Sequence, residues 1–261
     1  MSVKLSEIMA AMESYAPARL AEEWDNVGLM VGSEREIKRV LVALDVNDEV
    51  IDEAVSLSAD LIITHHPFIF RGIKNVTDGT PLGRRIIRLI KNDIAVFSAH
   101  TNLDSAAGGT NSTLAVLLKL ENVEGLADIN EDGSAMGRIG ELKSEMSFVD
   151  FISEVKAVLN ADSLSVCGDL DTRVKKIGIC TGKGASFMQE AKNKGADVYI
   201  TGDFGYHEGQ NAQDMGLCVI DGTHYLTEVI VVPVICSYLK KCFNGLEVIE
   251  SEVNGQTLTI V

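Results

Sequence analysis

The sequence predicts an α/β protein made of two weakly repeated α/β lobes with mostly parallel sheets. Two segments carry that expectation. "RVLVALDVNDEVIDEAVSLSADLIITHH" (39–66) and "KKIGICTGKGASFMQEAKNKGADVYITGD" (175–203) share one layout. Each runs from basic residues into an apolar strand, a loop, a helix pattern, Ala-Asp, a second apolar strand and Ile-Thr. Strand–helix–strand order at this length implies parallel strands joined by a crossover helix. Runs such as Leu61-Ile62-Ile63-Thr64 lack alternation, as expected of strands covered on both faces. The echo continues downstream. A further helix pattern and strand end in "SAHTNLD" in the first half and in "IDGTHYLTE" in the second, each with a histidine four residues before a carboxylate.

The elements follow in order. The N-terminal stretch reads as an amphipathic helix with Leu5, Ile8, Met9 and Met12 on one face. The first strand–helix–strand unit follows, then the helix "LGRRIIRLIKND". "GLADINEDGSAMGRIGELKSE" is Gly-rich and polar and reads as loops and short strands. "SFVDFISEVKAVLN" is a helix, the second unit comes next, and the tail suggests a hairpin turning at Asn254-Gly255. The lobes are expected at 1–124 and 125–261, tightly packed and readable as one domain.

Composition bounds the function. The 261 residues suit one large or two modest domains, and 46% hydrophobic content suits a globular core. A net charge of −15 repels nucleic-acid backbones and argues against nucleic acid as a partner. Cys167, Cys180, Cys218, Cys236 and Cys242 form no CxxC pair, which argues against a disulfide framework or a cysteine zinc site. The N-terminus lacks a signal-peptide core, and no stretch is long and apolar enough to span a membrane. The expected location is cytoplasmic.

Four polar groups sit just after predicted strands: His65–His66, His100–Asp104, Asp203–His207 and His224–Glu228. Ligands of open α/β sheets bind beyond the carboxyl ends of the strands, so parallel strands would bring these groups to one edge. Neighbouring residues of a regular strand face opposite ways, and Pro67 ends the ladder where His65 and His66 could share a target. His224 and Glu228 at i,i+4 would share a helix face. Imidazole with carboxylate suits two divalent ions (iron, zinc or manganese), and a two-metal site can activate water for hydrolysis. Simpler roles compete. Asp104 could cap a helix, Glu228 could answer a helix dipole, and His100 and His207 could be ordinary polar residues.

"EEWDNVGLMVG", "ITHHPFIF", "AHTNLDSAAGGTN", "TGKGAS", "ITGD" and "GTHYLTE" occur in this order and resemble the NIF-three-like dinuclear metal-centre family, also called GTP cyclohydrolase 1 type 2 homologs. The resemblance implies a NIF-three-like fold, a shared dinuclear metal site and a ring-shaped homohexamer. It places one metal on His65, Asp104 and Glu228, and the other on His66, His224 and Glu228, with His100 lining the site. It further suggests a metal-dependent hydrolase opening a GTP-like ring in a small-molecule substrate, a nucleotide; for such a reaction the residues on offer as general acid or base are His100 and His207. The alternative is a non-catalytic metal-binding scaffold that handles metal or binds partner proteins. This chain departs from the family pattern at Thr223, where Gly is usual, at Phe68 for Leu, and at Ser112 for an acid.

"GICTGKG" is one residue short of a Walker loop and has Gly184 for its Ser or Thr, but a Gly-rich turn can still form an anion nest. Arg84, Arg88 and Lys91 share a helix face expected to be solvated, whereas Arg71 and Lys74 follow the histidine pair and are nearer the site. Trp24 is by default a core residue; the resemblance hints that Asp25 and Asn26 approach the site.

Overall fold

The computed structural model describes residues 2–258. In chain order its elements are β1 (Val3–Lys4), α1 (Leu5–Tyr15), β2 (Gly28–Val31), β3 (Glu36–Ile37), β4 (Arg39–Ala43), α2 (Asp48–Ser56), β5 (Leu61–Thr64), α3 (Pro81–Lys91), β6 (Ala95–Ser98), α4 (Thr101–Ser105), α5 (Thr110–Leu117) and β7 (Glu121–Ala127). They continue with β8 (Met136–Ser147), α6 (Phe148–Leu159), β9 (Ser165–Cys167), β10 (Arg173–Ile179), α7 (Met188–Asn193), β11 (Val198–Thr201), α8 (Tyr206–Met215), β12 (Cys218–Asp221), α9 (His224–Val229), α10 (Val232–Cys242) and β13 (Glu247–Glu250). Two compact units result. One runs to Leu103 and returns with Val231–Gly255; the other is Asp104–Ile230.

The first unit holds a sheet of order β13-β4-β5-β6-β2, parallel except for the edge strand β2. Apart from Arg39 at the start of β4, its central strands are buried, which explains their apolar runs. Leu41, Ile51, Ile62, Leu89 and Val96 form the core under α2 and α3. Local chemistry starts both helices. The Asn47 side chain accepts from the Val50 amide at 2.8 Å, and Thr80 Oγ1 accepts from the Gly83 amide at 3.1 Å with Pro81 following. Arg85 and Arg88 of α3 both bind Asp48 of α2, so Arg88 ties two helices together.

The second unit holds a sheet of order β7-β8-β10-β11-β12-β9, with β10, β11 and β12 parallel and the outer strands antiparallel. Strand alternation splits its core. Val198 and Ile200 pack with Phe148, Phe151 and Val155 of α6, whereas Tyr199 packs with Ala191 of α7 and Ala212 of α8. Ser147 caps α6, and Asn160 closes it in the left-handed conformation.

The repeat is reproduced bond for bond. Asp60 Oδ2 accepts from the Lys38 and Arg39 amides at 2.7 and 2.9 Å, and Asp197 Oδ2 accepts from the Lys175 and Lys176 amides at 2.9 and 2.8 Å. The backbone of each Asp also bridges the flanking strands. Asp60 bonds Arg39 O and receives the Ala95 amide; Asp197 bonds Lys176 O and receives the Cys218 amide. The shared Ala-Asp thus locks three parallel strands at the same point in each unit.

Two expectations need correction. The Gly-rich segment 125–145, expected as loops and short strands, has its loop at 128–135 but also holds the end of β7 and most of the twelve-residue β8. Gly133 turns the loop at φ +79°, but Gly137 serves close approach: a Cβ there, at φ +73°, would lie 2.6 Å from Ile179 O of the neighbouring strand. The tail forms no hairpin at Asn254-Gly255 among the described residues. β13 pairs with β4, residues 251–258 carry no strand, and 259–261 lie outside the described residues. α1 forms as expected, burying Leu5, Ile8 and Met12. No helix among the described residues is long and apolar enough to cross a membrane.

Candidate metal centre

In the first unit β5 delivers Thr64 to the sheet edge, where the ladder ends. Thr64 Oγ1 donates to His66 O at 2.9 Å, and the His66 amide donates to Leu44 O at 3.0 Å. This local bend keeps the two rings on one side, with centroids 5.2 Å apart. His65, fully buried, holds its Nδ1 3.0 Å from Ala99 O. His66 Nδ1 lies 2.8 Å from Asp45 Oδ1, and His100 Nδ1 lies 2.9 Å from Asp25 Oδ1. His65, His66 and His100 each place a ring nitrogen within 4.8 Å of the others, a spacing able to hold a metal ion. Carbonyl and carboxylate oxygens only accept, so each Nδ1 carries the proton and each lone pair sits on Nε2. This is the usual arrangement behind metal-binding histidines.

Asp25 anchors this corner. Burial raises its carboxyl pKa, but hydrogen bonds from His100 and Thr101 outweigh burial and hold it at about 2. The neighbouring Asn26 donates through its side chain to Ile69 O, tying the "WDN" turn to the segment after the histidines. α4 begins directly after His100 and carries Asp104 as its fourth residue.

In the second unit α9 presents its first and fifth residues together. His224 Nδ1 lies 2.9 Å from Asp203 Oδ2, and His224 Nε2 lies 3.0 Å from Glu228 Oε2. Glu228 is 3% exposed and Asp104 is 7% exposed. Burial raises the Cys180 thiol well above its ordinary value, and the Asp104 and Glu228 carboxylates raise it further. Negative charge therefore accumulates in this part of the unit, a setting that favours a cation. Gly182 passes so close that a Cβ there would lie 2.0 Å from Glu228 Oε1 and 3.5 Å from His224 Nε2.

Three amides of the Gly-rich loop are spent internally: Thr181 donates to Asn111 Oδ1 at 2.8 Å, Gly182 to Thr227 Oγ1 at 3.0 Å, and Gly184 to Thr201 Oγ1 at 2.9 Å. The loop supports α9. Thr223 stands at φ +59°, the backbone region that the family's usual glycine would occupy freely, and its hydroxyl caps α9 by accepting from Leu226 at 3.2 Å.

His207 is elsewhere in character. It is exposed on α8, its Nδ1 meets Gln210 Oε1 at 3.1 Å, and its ring neighbours Tyr206. Asp203, grouped with it in the sequence reading, orients His224 instead. Sequence reasoning missed Asp45. The parallel register pairs Ala43 with Thr64, so the residues two further on, Asp45 and His66, meet beyond the strand ends. A carboxylate in the loop after the neighbouring strand was the available signal.

The fold and these groups define an α/β protein carrying candidate His and Glu metal ligands. The chain belongs to the Duf34/NIF3 (NGG1p interacting factor 3) family, whose profile matches residues 3–256. It is 44% identical over 228 residues to the GTP cyclohydrolase 1 type 2 homolog of Clostridium perfringens, covering 87% of each chain. The protein of the same name from Bacillus subtilis is 29% identical over 370 residues, covering 100% of this chain and 99% of the relative. Among solved structures, a Bacillus cereus protein related to NIF3 matches with TM-score 0.90 at 27% identity, covering 99% of both chains. Reduced HcgD from Methanocaldococcus jannaschii matches with TM-score 0.84 at 34% identity, covering 97% of this chain and 99% of that one.

Proposed function

We propose that the protein is a dinuclear metal-dependent hydrolase acting on a nucleotide, with His65, His66, Asp104, His224 and Glu228 as metal ligands. The observation that carries this reading is the orientation of the imidazoles. His65, His66 and His224 each give up Nδ1 to an oxygen acceptor, which reserves Nε2 for coordination. Buried Asp104 and Glu228 supply anionic ligands, Glu228 being shared between the two ions as in the family pattern. Two divalent cations held by these residues would supply water made nucleophilic near neutral pH.

The chain's own groups do the rest. Asp45 and Asp203 keep the rings of His66 and His224 from rotating. Gly182 leaves the Glu228 carboxylate room to serve two centres. His100, fixed by Asp25, holds or gives up a proton at Nε2 beside His65 and His66, and we assign general acid–base duty to it rather than to His207. The substrate class rests on the relatives' name, which suggests opening of a GTP-like purine ring. The family resemblance adds a ring-shaped homohexamer as the working assembly.

Metal analysis of protein purified without added metal, followed by turnover of nucleotides with that metal, tests the reading. Wild type should carry about two ions per subunit and H65A fewer, with turnover falling in step. Metal-loaded wild type inert across the nucleotide panel would overturn the hydrolase assignment and favour a metal-handling scaffold.

A further inference from the structure

The only tryptophan of the chain, Trp24, is 58% exposed rather than packed in the core. It is nevertheless held in place. Asp25 binds His100 and the Thr101 amide, and Asn26 binds Ile69 O, so both following residues fasten the turn that carries the indole. Trp24 stands edge-on to Phe70 at 5.9 Å and to His100 at 6.1 Å, and Phe70 is itself 44% exposed. Two large aromatic rings thus remain open to solvent beside the histidine cluster, on a backbone built to keep them there. Leaving that much apolar surface in water is unfavourable, and an exposed aromatic corner beside a candidate active site calls for an occupant.

The surrounding charge says what kind. The chain carries 38 acidic against 23 basic residues, yet no carboxylate occurs between Asp60 and Asp78. Within that stretch Arg71 directly follows Phe70 and Lys74 comes three residues later, both exposed. A locally cationic arm on a strongly acidic protein favours an anion, and the adjoining aromatic faces favour a planar ring.

We propose that Trp24 and Phe70 form a stacking platform, and Arg71 and Lys74 an anion grip, for a planar heteroaromatic ligand bearing a phosphate. This rests on the hydrolase reading, for which it supplies the substrate-recognition surface. The platform holds the ring beside His65, His66 and His100, while the exposed cationic side chains take the charged tail.

Trp24 reports on its own occupancy. The metal-loaded protein is titrated with guanosine monophosphate, guanosine and inorganic phosphate, exciting the indole at its red edge where purines are transparent. The nucleotide should quench Trp24 saturably and shield it from acrylamide; guanosine should do so more weakly, and phosphate not at all. R71A/K74A should weaken the nucleotide about tenfold, the loss of about 1.4 kcal/mol, and leave guanosine unchanged. W24F should keep metal content and assembly size. Absence of saturable quenching in protein of normal metal content overturns the platform and leaves the metal reading standing; quenching in protein that holds no metal does the reverse. A change of assembly size in W24F also overturns the proposal, because the aromatic corner is then a contact between copies of this chain.

Discussion

Replacing Arg138 by methionine should cost about 3 kcal/mol of stability. Arg138 lies in β8 and is 4% exposed, a cation taken out of water. All five of its N–H donors are used. Nε donates to Ser112 Oγ at 2.9 Å, Nη1 to Ala135 O at 2.6 Å and Gly137 O at 2.7 Å, and Nη2 to Ser105 O at 3.2 Å and Ala106 O at 2.9 Å. Burial lowers its pKa, the sign of an unfavourable solvation change. Two acceptors keep a second donor in the variant: Ser105 O receives the Ala135 amide and Ala106 O the Gly109 amide. Of the other three, Ser112 Oγ is only half-buried and can turn to water, so Ala135 O and Gly137 O carry the loss, up to about 6 kcal/mol at roughly 1–3 kcal/mol for each buried acceptor left unsatisfied. Relief of the buried cation returns several kcal/mol, so the net loss is about 3 rather than about 6 kcal/mol. Urea unfolding with an unchanged m-value measures it. An R138M protein as stable as wild type would refute the reasoning, since desolvation would then outweigh the bonds. Ser112 stands where the family usually has an acid, so S112D should give Arg138 a carboxylate and stabilise by about 1 kcal/mol, an effect that disappears in the R138M background.

Three further outcomes are expected. T223G should be neutral to stabilising by up to about 2 kcal/mol, because a β-branched residue at φ +59° and ψ 156° stores about 1–3 kcal/mol, while losing the cap and gaining glycine entropy return about 1 kcal/mol; clear destabilisation in thermal unfolding would contradict this. The Asp25 carboxyl is lowered from 3.8 to about 2, so its contribution is present above pH of about 4 and is lost as pH falls through about 2. The stability gap between wild type and D25N, about 2 kcal/mol at most, should close across that window, and a gap constant down to pH of about 2 would exclude the carboxylate as its source. D45N should lower metal affinity about 10–100-fold with little loss of fold, read by competition with a chelator; unchanged affinity would show that His66 needs no orienting carboxylate.

The parts legible in the sequence are those whose cause is local. The apolar runs of β4, β5, β10 and β11 and the i,i+4 placing of His224 and Glu228 are set by neighbours in the chain. The post-strand position of His65 and His66 was equally readable, because parallel strands share a functional edge. What escaped depends on distant partners. β13 pairs with β4 across some two hundred residues, which joins 231–255 to the first unit, whereas the lobe division read from the sequence assigned that segment to the second. The length of β8 escaped because glycines permitting close strand approach look like loop glycines. Trp24 was read as core, yet it is exposed, since its position is fixed by hydrogen bonds of Asp25 and Asn26 rather than by its own hydrophobicity.

The paired roles of Asp60 and Asp197 carry a consequence for how such a chain can change. Each carboxylate sets strand spacing from the end of the sheet opposite the edge that carries the histidines, through bonds to backbone amides that any residue but proline supplies. The rim is thereby released from structural duty. One copy could acquire His65–His66 and the other Gly202–Asp203 at matching positions without either sheet losing register. Duplication followed by divergence is then mechanically safe here: the gauge that aligns the strands and the candidate metal ligands are separate, and only the second need vary.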